Sequence, residues 1–141
     1  MKHRLLFTYQ ILTGLSDTTT GLLLVTAPTL TLHLMHVTAP ADAIPYLSWV
    51  GAFVLSVGLA CLYGAILTTR PTFTAKLETI WVLTTISRTS VAIFVAAQIA
   101  TGALASGWYS VPFTDGTIAL LQIIGLSRGW LSRGRLSDDT K

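Results

Sequence analysis

Charge is scarce in this 141-residue chain: Lys, Arg, Asp and Glu together make up 11% of it, against about 25% in an ordinary soluble domain. That shortage excludes a typical cytosolic enzyme and a disordered tail, because neither holds its surface or its solvation with so few charges. Cysteine occurs once, at Cys61, which excludes a disulfide scaffold and intramolecular dithiol chemistry and leaves a small packing residue in an apolar stretch. The chain also has no glycine-rich phosphate loop, no serine elbow and no zinc-protease helix, so no catalytic set is identified. What abounds is apolar, 52% of all residues, and the class this implies is a small integral membrane protein.

A helix needs about 20 mainly apolar residues to cross the hydrocarbon core. Four stretches qualify, at about 5–25, 46–67, 77–104 and 113–130; Asp17 interrupts the first and Arg88 the third. Lipid offers the backbone no partners and four short segments cannot close a barrel, so all four are expected to be helical. The expected fold is all-α, a four-helix transmembrane bundle forming a single membrane domain over residues 1–141. Of the nine Lys and Arg residues, eight fall before the first span, between the second and third, or at the end of the fourth and beyond it, with Arg128 in its last turn, while Arg88 lies in the middle of a span. The positive-inside rule then places both termini in the cytoplasm, with a bacterial cytoplasmic membrane as the expected location. The same distribution argues against nucleic acid as a partner. Trp81 and Trp130 fall at the inner interface and Trp49 and Trp108 at the outer one, with Tyr46 and Tyr109 beside them. The first span is read as a retained helix rather than a signal peptide, because Asp17 splits it and Pro28 follows the best cleavage pattern.

The outer connection carries Pro28, Pro40 and Pro45, and its segment 29–38 suits a short interfacial helix or, by its alternation, a strand. Residues 131–141 form a basic tail that echoes Leu-Ser-Arg-Gly. Small residues at Ser56, Ala60 and Gly64, at Gly51, Gly58 and Ala65, and at Ala92, Ala96 and Ala100 predict an antiparallel contact between the second and third spans.

The most specific feature is charge at mid-membrane depth. Asp17 and Arg88 both lie roughly 17 Å into their spans from the same side. An intramembrane charge costs about 2.5–3.5 kcal/mol on insertion scales, so pairing is the economical arrangement. Gln10, Thr13, Asp17 and Thr20 share one stripe of the first span; Trp81, Thr84, Arg88 and Ala92 share one of the third; Asp115 and Gln122 lie seven apart on the fourth. Three polar stripes predict one shared interior, with Arg88 bonded to Asp17 and its remaining donors taken by Gln122 and Asp115. A purely structural role for the Asp17 and Arg88 pair leads over a chemical one, Asp115 suits a cap of the fourth helix, and Glu78 suits the first turn of the third. His33 and His36 read as a solvated pair rather than a metal site, and no metal or haem is expected.

Gly21-Leu22-Leu23-Leu24-Val25-Thr26-Ala27-Pro28, Gly51-Ala52-Phe53 and the intramembrane Arg88 resemble the small four-helix membrane proteins grouped as DoxX-like. The resemblance implies a four-helix membrane protein, associated in some members with quinone-linked oxidase or oxidoreductase complexes, and transfers no catalytic residue. Three functions follow in order of expectation. The first is a non-catalytic subunit or a lipid- or quinone-binding module that docks membrane lipids, other membrane subunits or further copies of itself. The second is a quinone-linked membrane redox enzyme, and the third a small oligomeric transporter or proton path along Gln10, Asp17, Arg88 and Asp115.

Overall fold

The computed structural model describes residues 2–70 and 74–131. Most of the basic tail and the centre of the Arg70-Pro71 turn therefore lie outside the described residues. The described residues form five α-helices and two short 3-10 turns, with no strand. Helix α1 spans Lys2–Thr26, α2 Pro28–Leu34, α3 Ile44–Thr68, α4 Thr74–Ala100 and α5 Ser110–Ser127; 3-10 turns at Ala41–Ala43 and Ser106–Tyr109 lead into α3 and α5. Of these, α3 with its leading turn and α4 are long and apolar enough to cross a membrane.

The helix ends follow backbone chemistry. Pro28 opens α2 at its first position, where a missing N–H costs nothing; of segment 29–38, residues 29–34 are helix, the rest is a turn and irregular chain, and none of it is strand. Its exit is a Schellman turn: Val37 N–H donates to Leu32 C=O at 2.9 Å and His36 N–H to His33 C=O at 3.1 Å, with His36 left-handed at φ 54°. The same pair of bonds closes α4 around Gly102 and α5 around Gly129, both at positive φ. Those glycines end the helices at Ala100 and Ser127, short of the expected 104 and 130. Histidine pays a steric cost that glycine avoids at this φ, so His36→Gly is expected to raise unfolding stability by about 1 kcal/mol, read in a denaturant titration.

Packing divides the bundle into two pairs. Helix α1 lies against α3 and α4 against α5, while α3 and α4 touch less extensively. The α1/α3 pair is antiparallel and built on glycine. A Cβ at Gly58 would collide with the backbone N of Thr18, and one at Gly21 with the backbone N of Leu55; one at Gly51 would come within 2.6 Å of Leu24 Cβ and one at Gly14 within 2.8 Å of Leu62. Backbones approach this closely only where side chains are absent.

The expected contact between the second and third spans is therefore present as α3 against α4, but it is the smaller one, and the small residues of α3 serve α1 instead. The pairing also sorts the small residues. A step of seven rotates a helix face by only about 20°, so Gly51, Gly58 and Ala65 stay on the α1 side and are all buried. A step of four rotates it by about 40°, and two steps carry a residue off the contact. Accordingly Gly64 is buried, Ala60 half-buried and Ser56 exposed, its hydroxyl donating to Phe53 C=O of its own helix; Ala92 is buried but Ala96 and Ala100 are exposed.

The two pairs join at the end that carries Arg4. There Leu67 of α3, Leu77 and Trp81 of α4 and Leu131 form a buried apolar cluster, with Leu6 and Tyr9 of α1, Ile80 and Leu126 packed on it. Trp81 is thus a core residue, 2% exposed, rather than an interfacial anchor; its ring lies 5.4 Å from that of Tyr9 and leaves no room for a side chain at Gly125. Trp49, Tyr46, Tyr109 and Trp130 are exposed. At the opposite end the buried Val37 sits against Gly107 in the turn before α5.

Candidate functional site

Halfway along the bundle, Arg88 extends from α4 and forks between two acids. One terminal nitrogen donates to Asp17 Oδ2 on α1, and the other donates to Asp115 Oδ1 on α5 at 2.5 Å. The Arg88 side chain is 3% exposed and the two carboxylates 15% and 22%, so the triad is largely withdrawn from its surroundings. The planar guanidinium suits this task because two N–H groups diverge from one rigid plane, a geometry that a lysine ammonium does not offer. Asp115 does not cap α5. That helix begins at Ser110 with no side-chain cap bond, which carries Asp115 past the first turn to the depth of Arg88. Glu78, too, lies beyond the first described turn of its helix and is exposed.

Gln122 does not reach Arg88. Its Nε2 donates to Thr84 Oγ1 at 2.9 Å and its Oε1 accepts from Thr85 Oγ1 at 3.1 Å, tying α5 to α4 at a level nearer the Arg4 end. The expected stripe therefore splits into two layers, an ionic one and a neutral one. On α1, Thr13 is buried and donates to the C=O of Tyr9 at 2.9 Å, whereas Thr20 has rotated to an exposed position. Gln10 is fully buried, yet neither its Nε2 nor its Oε1 has a hydrogen-bond partner among the described residues. Its amide presses on Gly64, beside Leu77. An orphaned buried amide costs about 1–3 kcal/mol. Gln10→Met, which keeps the volume and removes the polar atoms, is therefore expected to stabilise the fold by about that amount in equilibrium unfolding.

Tyr9, Cys61 and Thr85 were not singled out as site residues by their pattern, yet each borders these layers. The Cys61 thiol is 1% exposed, on the buried face of α3 between Gly58 and Gly64. For Thr85 the signal was its place beside Thr84, one residue along the face that meets Gln122. For Cys61 the sequence offered only depth, since a lone thiol in an apolar helix has no periodic partner. His33 and His36 are exposed beyond the triad, at the α2 end. Two clefts open at the bundle ends: one of about 410 Å³ lined by Arg4, Phe7, Thr8, Thr68 and Thr69, and one of about 270 Å³ between Thr38–Leu47 and Ala103–Trp108.

Comparison with protein-family models, curated proteins and solved structures finds no match for this chain.

Proposed function

We propose that this chain is a small integral membrane protein, a four-helix transmembrane bundle with both termini cytoplasmic, serving as a non-catalytic subunit or a lipid- or quinone-binding module of a larger membrane complex. The observation that carries the proposal is the inverted distribution of side chains. Leu12, Leu15, Phe53, Leu59, Ile66, Leu83, Ile86, Ile93, Phe94 and Phe113 stand exposed along the flanks of four helices, while Arg88, Gln10, Gln122 and Thr84 are buried. Water would penalise that arrangement on both counts, and hydrocarbon would favour it. Only a third or less of the most apolar windows of α3 and α4 is buried within the chain, unlike the core helix of a soluble domain. In α1 and α5 the polar residues that meet Arg88 and Thr84 lower the overall apolarity, so these spans depend on their neighbours to cross.

A subunit role is favoured because the charges of Arg88, Asp17 and Asp115 are paired with one another. The DoxX-like resemblance points in the same direction and is part of this proposal. The test is carbonate extraction of membranes expressing the chain at native level, followed by native mass spectrometry in mild detergent. The expected result is retention in the membrane pellet and a mass that includes companion subunits. Release by carbonate would overturn the membrane assignment, and a lone ligand-free monomer would overturn the subunit or module assignment.

A further inference from the structure

We infer that the Asp17–Arg88 bond is a latch between two preformed half-bundles, α1/α3 and α4/α5, and that its release opens the seam between α1 and α4 to water from the α2 end.

Three independent observations converge on this. Close helix packing runs within each half, through the glycines of α1 and α3 and through Ala92, Gly125 and Trp81 of α4 and α5. Across the division, α3 and α4 touch less extensively, and α1 meets α4 through side chains, chiefly the Tyr9 and Trp81 rings and the Asp17–Arg88 bond. The second observation is where hydrogen bonding fails. The buried polar atoms without a partner among the described residues are Tyr9 Oη, both amide atoms of Gln10, Thr18 Oγ1, Trp81 Nε1, Arg88 Nε and Thr89 Oγ1. All belong to α1 or α4, which lie in opposite halves; of these, Thr18 Oγ1 lies against Gly58 of α3 inside the first half, and the Gln10 amide lies against Gly64 of α3 beside Leu77 of α4. Inside the second half, by contrast, Gln122, Thr84 and Thr85 satisfy one another. Buried polar groups left unpaired favour any rearrangement that wets them. The closed seam is therefore held against that tendency, and the Asp17–Arg88 ion pair across it opposes the opening.

The third observation gives direction. The Leu67, Leu77, Trp81 and Leu131 cluster clasps both halves at the Arg4 end, close to the short connection from α3 to α4. At the other end the halves are already parted by the 270 Å³ cleft, with Val37 against Gly107 as the contact beside it. The halves thus hinge at the apolar cluster and part at the cleft, a rigid-body motion of packed units about one end.

Cys61 is a built-in reporter, because it is 1% exposed on the buried face of α3, between Gly58, which packs on Thr18, and Gly64, which packs on Gln10 beside Leu77. In lipid nanodiscs, its reaction with a charged, membrane-impermeant methanethiosulfonate is expected to be slow in the native chain and at least about tenfold faster in Asp17→Asn, the factor that loss of a charge-assisted bond across the seam would give. Asp17→Glu is expected to restore slow labelling. Asp115→Asn, which removes a bond within the second half only, is expected to stay within about threefold of the native rate. Equal acceleration in Asp17→Asn and Asp115→Asn, or none in Asp17→Asn, would overturn the inference. A second measurement does not depend on how the Asp17 variant folds: bridging Leu47→Cys and Ala105→Cys across the cleft with a short bifunctional maleimide should suppress Cys61 labelling in the chain with Asp17 intact. Undiminished labelling after bridging would also overturn it.

Discussion

Arg88→Leu is expected to destabilise the folded chain by about 3–5 kcal/mol, the largest effect of any single substitution in the interior. The cause is the state of what is left behind. Asp17 and Asp115 are mostly withdrawn from their surroundings and face the same guanidinium, so removing it leaves two carboxylates uncompensated in a low-dielectric interior. Arg88→Lys should fall between the native chain and Arg88→Leu, because one ammonium cannot reproduce the fork that reaches α1 and α5 together. The triple variant Arg88→Leu, Asp17→Asn, Asp115→Asn should regain much of the loss, since no bare charge then remains. Equilibrium unfolding in bicelles checks all three. A triple variant no more stable than Arg88→Leu would show that packing of the arginine stem, rather than charge, dominates.

Gly58→Val carries the second largest expected effect, about 3 kcal/mol of destabilisation, at the upper end of what overpacking costs. A new Cβ at this position meets the backbone nitrogen of Thr18 and comes within 2.6 Å of its hydroxyl, and helix backbone cannot swing aside as a side-chain tip can. The whole α1/α3 contact must widen, and Asp17, the residue before Thr18, moves with it. A useful control lies on the other pair: at Gly116 a Cβ would rest 3.9 Å from Ala92, ordinary contact, so Gly116→Ala should be neutral or gain up to about 1 kcal/mol from helix propensity. Thermal unfolding of the two variants side by side separates close backbone approach from the general cost of altering a glycine in a helix.

These two predictions rest on features that were unequally visible in the sequence. Helix positions were legible because long apolar runs bounded by Pro28, Pro45 and the Arg70 turn leave the backbone no alternative. The helix ends were less so: the apolar run continues past Ala100 to Leu104, and only the left-handed Gly102 stops the helix early. Placing Asp17 and Arg88 at one depth needed only counting from the charged loops, whereas the position of Asp115 depended on where α5 begins. The apolar run suggested Phe113; the helix starts at Ser110, and those three residues turn a cap into an ion-pair partner. Helix pairing was misread because spacings of four and seven were weighed alike. Only the seven-spaced glycines of α3 hold one face over several turns, and their partners Gly14 and Gly21 show the same interval on α1. The split between the Arg88 layer and the Gln122 layer was not legible at all, since Gln122 and Asp115 share a stripe and only the antiparallel register of α4 and α5 decides which groups meet.

The central claim is that an acid of α1 and the guanidinium of α4 stabilise the bundle by binding each other. The most direct measurement is a double-mutant cycle of Asp17→Ala and Arg88→Met, with unfolding free energies taken in bicelles, because the cycle cancels what each residue does with other partners, including Asp115. The account predicts a favourable coupling of at least about 1.5 kcal/mol, the range of a hydrogen bond to a charged group. Additivity of the two substitutions within about 0.5 kcal/mol would contradict it.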